Sequence, residues 1–179
     1  GPTPYFVSSK QKQESVFIQY HSFLQRGYFP NYIDETDDNK TTFELDSGIY
    51  SKKPFCKNML GSTVILILGA KPGKAKNTIY YLWSETIVES IEIDKDENTY
   101  LIYGIEGLFD YPIVLNDIIG FNEFRRKCGN FVYGLQSIGD YAFYQSQLKG
   151  LLCNQIQKEP RNYKEYLKNI CDSENKQYG

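Results

Sequence analysis

Residues Ser62 to Leu68 form a nearly continuous run of β-branched and aliphatic side chains. Such a run marks a strand that is buried on both faces or lines a barrel. The next segments narrow the fold further. A basic turn, Lys71-Pro72-Gly73-Lys74-Ala75-Lys76-Asn77, leads into Thr78 to Ile93, which is too long for one flat strand and is expected to bend. The polar turn Asp94 to Asn98 then joins it to Thr99 to Ile105, a hairpin partner. Three strands in series with short turns favour a small, strongly bent sheet or barrel. A doubly wound sheet is disfavoured, because no regular alternation of strand and long helix supplies parallel crossovers.

On the amino-terminal flank, Tyr5 to Val7 suits a short strand ending at Ser8 and Ser9. Between Glu14 and Leu24, the apolar residues Val16, Phe17, Tyr20, Phe23 and Leu24 fall at i, i+1, i+4, i+7 and i+8, the spacing of one helix face, with His21 off that face and Gly27 as the stop. Tyr28-Phe29-Pro30 opens an exposed loop through Asp34, Glu35, Asp37 and Asp38. Downstream, Ile113 to Leu115 reads as an edge strand beside Pro112, and Asn116 or Asp117 as the cap of a short helix containing Phe121, Phe124 and Arg125. Phe131 to Ile138 reads as a final strand kinked at Gly134, and the tail from Tyr141 as two helices separated by Pro160. The fold class is therefore α+β, a bent barrel with flanking helices. Residues 1–4 are taken as a cleavage scar and linker, 5–140 as the barrel and 141–179 as a C-terminal helical extension.

Reactive chemistry finds little support. The 179 residues include one His, and Cys56, Cys128, Cys153 and Cys171 form no CxxC pair, so no metal or other cofactor is expected. In Gly69-Ala70-Lys71-Pro72-Gly73-Lys74-Ala75 only three residues separate the glycines, too few for a phosphate loop, and Ala75 stands where a magnesium-binding hydroxyl belongs. Glu89, Glu92, Asp94 and Lys95 have the ingredients of a metal-dependent hydrolase without its spacing and read as a solvated strand face. Cys128, beside Arg125, Arg126 and Lys127, has no base partner and reads as a small buried residue. No apolar run approaches the roughly 20 residues that span a bilayer, and no secretory signal opens the chain, so a cytoplasmic setting away from membranes is expected.

The sequence does offer aromatic surface near local positive charge. There are 16 Tyr and 11 Phe, and against a net charge of -2 the cations gather in three clusters: Lys52, Lys53 and Lys57; Lys71, Lys74 and Lys76; Arg125, Arg126 and Lys127. Rings that stack on bases and cations that hold phosphates are what single-stranded or extruded bases need. Strand alternation puts Tyr81 and Trp83 on one face and Tyr80 and Leu82 on the other. If the core takes the second pair, the first lines a pocket; the reverse assignment fills the core with the indole.

The order of these segments resembles the PUA-like barrels of the EVE and YTH groups. The likeness runs from Tyr5-Phe6-Val7-Ser8-Ser9 through Gly61 to Leu68, Tyr80 to Glu92, Tyr100 to Gly104 and Tyr111-Pro112-Ile113-Val114-Leu115 to Gly129-Asn130-Phe131 and Ile138. It covers residues 5–138 as a pattern of apolar runs and turns without a catalytic motif. The resemblance implies a reader of a modified base, flipped into an aromatic cage, that serves as the recognition part of a restriction endonuclease. The nuclease or motor would lie in another domain or subunit. It implies base contacts from Ser8, Ser9, Tyr28, Phe29, Trp83, Phe131, Tyr133 and Gln136; strand alternation adds Tyr81, and the basic clusters offer phosphate contacts from Lys71, Lys74, Lys76, Arg125, Arg126 and Lys127. Gly27-Tyr28-Phe29 departs from the YTH pattern, which has tryptophan after the first helix. The expected partner is DNA, with RNA as an alternative. Rival readings are a B3-like domain that reads base edges without extrusion, a protein-interaction domain and a small hydrolase.

Overall fold

The computed structural model describes residues 15–23, 49–71 and 76–157. Within them, seven strands form one mixed sheet: β1 (Val16–Phe23), β2 (Ile49–Ser51), β3 (Thr63–Ala70), β4 (Ile79–Asp94), β5 (Thr99–Val114), β6 (Gln136–Ser137) and β7 (Ile156–Gln157). The order is β2-β5-β4-β3-β1-β6, with β7 on β5 outside that path. Only β1 and β3 run parallel, Val16 opposite Thr63 through Phe23 opposite Ala70; the other pairs are antiparallel. The sheet curls into a half-barrel with few short helices, which agrees with the expected bent α+β architecture.

The curl has a local cause. Register slips on both sides of Trp83, where Leu66 and Ile67 of β3 face Ser84 and Leu82, and where β5 carries Phe109 to Pro112 between the partners of Ser84 and Leu82. Pro112 has no amide hydrogen to give the ladder, so pairing lapses and the strands bend. A second slip between Val88 and Ser90 bends the outer half of the hairpin. The expected polar turn is present: Asp94 Oδ1 accepts the amides of Asp96 and Glu97.

Both faces of the sheet are covered. One carries Val16, Ile18, Ile65, Ile67 and Leu82 under Phe121, Phe124, Phe131, Phe143 and Leu148. The other carries Phe17, Val64, Val88 and Ile102 with Cys56, Met59 and Leu135. Each fully buried aliphatic side chain contributes about 1.5–3 kcal/mol, so this double layer dominates the stability of the fold. The helical parts are a 3₁₀ turn at Pro54–Asn58, α1 (Phe121–Lys127), a second 3₁₀ turn at Gly129–Phe131, and a π-helical turn, Tyr144–Leu148, that runs into α2 (Lys149–Gln155). Phe143, Tyr144, Leu148 and Leu152 belong to the first core, so the helical extension from Tyr141 shares the sheet's interior.

Three sequence expectations are corrected. The segment read as a helix between Glu14 and Leu24 is strand β1, and His21 is exposed on it. Of the Ile113 to Leu115 run, Ile113 and Val114 are the end of β5, paired with Leu82 and Tyr81, and Leu115 follows the strand, so the run is not a separate edge strand. Phe131 to Ile138 is a tight turn followed by the two residues of β6. The expected short helix is present as α1, but Gly120 stands at its cap, and Asn116 serves another purpose. Tyr5 to Val7, Gly27, the acidic loop and Pro160 lie outside the described residues.

Candidate functional site

Asn116 bridges the start of β4. Its Oδ1 accepts the Tyr80 amide at 2.8 Å and its Nδ2 donates to the Thr78 carbonyl at 3.0 Å. This fixes the strand directly after the basic turn, whose described members are half-buried Lys71 and exposed Lys76. Tyr80 in turn meets Tyr20 of β1 at 6.0 Å between ring centroids, and the Arg125 guanidinium lies 5.7 Å from the Tyr80 ring centroid. Burial, and then Tyr80, hold the Tyr20 phenol above its ordinary pKa, against a hydrogen bond with Ser22 that lowers it. Tyr20 therefore stays neutral and able to donate. Its hydroxyl sits over Gly69, where any Cβ would collide with it.

Arg125 is held from its other side by Asn130, whose Oδ1 accepts from Nη1 at 2.7 Å. Gly129, Asn130 and Phe131 have φ of 63°, 55° and 67°, three consecutive left-handed residues. That conformation costs about 1–2 kcal/mol at a residue with a side chain. Phe131 offsets it: the ring stacks on Tyr20 at 5.2 Å and is 4% exposed, and a buried Phe is worth about 3–5 kcal/mol against alanine. Burial wins, and it turns the next residues outward.

The turn is braced at its far end. Lys53 Nζ donates to the carbonyls of Tyr133 and Leu135 at 2.5 and 2.6 Å, and Gln136 Nε2 donates to the Cys128 carbonyl at 3.0 Å. Beside Lys53, Phe55 stacks on Phe17 of β1 at 5.3 Å. Members of the three basic clusters stand at separate places on the sheet: Lys53 at the turn before β6, Arg125 over Tyr80 of β4 on the face of the first core, and Lys71 directly after β3.

The structure treats the expected base contacts unequally. Trp83 is 0% and Tyr81 1% exposed. The first core takes Tyr80 and Leu82, as the pocket reading required, but the opposite face is closed too, and neither ring is available to stack on a base. Phe131 is a core residue, and the Gln136 amide donor is engaged by its own backbone turn. Tyr81, Trp83 and Phe131 are thus buried where contact residues were expected, while Gln136 is half-buried with its Nε2 on the Cys128 carbonyl. Tyr133 alone among the described candidates leaves its ring open. Ser8, Ser9, Tyr28, Phe29 and Lys74 lie outside the described residues.

Among the cations, Arg126 is exposed and has no hydrogen-bond or ion-pair partner among the described residues, whereas Lys127 pairs with Glu123 at 3.3 Å. Tyr20, Tyr80, Asn116 and Asn130 were not expected at the site. Only the two tyrosines carried a signal, as rings at strand positions near basic residues. A cleft of about 190 Å³ between α1 and the π-helical turn, lined by Ile119, Glu123, Phe124, Lys127, Tyr141 and Phe143 among others, falls below the roughly 300–1,000 Å³ of sites for drug-sized ligands.

Cys128 is buried, and desolvation pushes its thiol up to about 12; burial also raises Cys56. Neither is a poised nucleophile. Among the described residues no three His, Cys, Asp or Glu side chains converge as a metal site, and no helix is long and apolar enough to cross a membrane. No protein-family model, curated protein or solved structure matches the chain.

Proposed function

We propose that this domain binds nucleic acid, with duplex DNA as its target, and grips phosphates with Arg125 and Arg126 of α1 and with Lys71 and Lys76, which flank the connection from β3 to β4. On this reading it is the recognition part of an EVE/YTH-type, PUA-like restriction system whose nuclease or motor acts from another domain or subunit. One observation carries the proposal: α1 ends in consecutive arginines, one held over an aromatic ring and the other exposed, a pairing of fixed cation and ring that suits a phosphate backbone. Arg125 is pre-oriented by Tyr80 and Asn130, and Arg126 beside it is free to meet a phosphate.

The closed surroundings of Tyr81 and Trp83 favour a second mode over extrusion into that part of the sheet, namely readout of base edges in a groove, as in B3-like domains. A panel of labelled duplexes, plain and carrying methylated or hydroxymethylated bases, separates the modes by fluorescence anisotropy. Selectivity for a modified base supports extrusion at another pocket, and selectivity for sequence supports groove readout. Binding that ignores salt and nucleic acid alike would overturn both in favour of a protein partner.

A further inference from the structure

The turn between α1 and β6 presents two consecutive apolar side chains to solvent, Val132 at 73% and Tyr133 at 65% exposure. Exposed apolar residues are ordinary when they stand singly on a surface. These stand together on backbone that is held throughout. Three left-handed residues precede them, Gly134 at φ 72° comes directly after them, and Lys53 clamps the Tyr133 and Leu135 carbonyls. The Tyr133 ring rests against Gly129, where a Cβ would run into it. Nothing in the local packing requires this pair to face outward, since the turn is already anchored inward through Phe131 and Leu135.

The surroundings are cationic. Arg125 and Arg126 precede the turn in α1, and the clamping Lys53 directly follows exposed Lys52 in the chain. A fixed apolar tip between cations has the chemistry that opens a base stack: the side chain slides between adjacent base pairs while the charges hold the flanking phosphates. We infer that Val132 and Tyr133 form a wedge that enters one base step of the bound duplex. This rests on the nucleic-acid reading above and adds to it a deformation of the target. The preformed turn suits the task, because no loop needs ordering when the stack is opened.

The test uses duplexes with 2-aminopurine at successive positions and an anisotropy label at one end, so that binding and unstacking are read separately. The full chain is expected to raise 2-aminopurine fluorescence several-fold at one step. Val132→Ser with Tyr133→Ser is expected to abolish the rise while leaving the salt dependence of binding unchanged. Val132→Ser alone, which leaves the Tyr133 contact with Gly129 intact, is expected to reduce the rise at least twofold, and Tyr133→Phe to keep it. Salt-dependent binding without a rise at any step, or a rise that survives the double substitution, would overturn the wedge and leave the nucleic-acid reading standing. Absence of salt-dependent binding would overturn both.

Discussion

Trp83 is the only tryptophan, so its burial can be read directly in solution. Its emission is expected to be blue-shifted, resistant to iodide quenching and unchanged when DNA is added; quenching by DNA would place a base against the ring and contradict the closed face. Trp83→Ala is expected to cost about 3–5 kcal/mol in denaturant unfolding, as a core truncation does. Cysteine reactivity obeys the same logic. Mass-spectrometric mapping after alkylation at pH 8 is expected to find exposed Cys153 modified in the native state, with Cys56 and Cys128 protected until unfolding. For Cys128 the folded state holds its proton up to about 12 against an ordinary 9.0, so it contributes stability that is present below pH 9 and lost as pH rises towards 12. Replacing it with alanine is expected to flatten that part of the stability profile.

Among the elements, the central hairpin was legible because nearly continuous apolar runs, a Pro-Gly turn and an Asp-rich turn each have one local explanation. Strand β1 was not. Val16, Phe17 and Ile18 are all buried, because both faces of the sheet are covered at that strand, and a doubly buried strand loses its period of two. The rings at Tyr20 and Phe23 then mimic helical spacing. The turn after α1 was misread for another reason: its Phe131 occupies a left-handed conformation that only long-range stacking on Tyr20 compensates. Gly129→Ala is expected to destabilise this turn by at least about 2 kcal/mol through left-handed strain and collision with Tyr133, measured by thermal or denaturant unfolding. Asn116→Ala would leave the Thr78 carbonyl and Tyr80 amide without their partner, at about 1–3 kcal/mol in denaturant unfolding.

On the scale of the whole molecule, the three basic clusters were visible in the sequence, but their places on the sheet were not. Those depend on the chain leaving β1, pairing β2 at the far side of the sheet and returning to lay β3 parallel beside β1, which no local pattern announces. A net charge of -2 does not fix the sign of the local field, which depends on which segments meet. The indole illustrates the converse, since alternation placed it on the expected face but could not show that this face was closed. The most direct measurement of the central claim is the slope of log affinity against log salt for a duplex of about 20 base pairs. With Lys71, Lys76, Arg125 and Arg126 engaged, the slope is expected near -3 to -4, and Arg126→Ala should make it shallower by about one without altering the unfolding midpoint. A slope near zero, or one that Arg126→Ala and Lys76→Ala leave untouched, would contradict it.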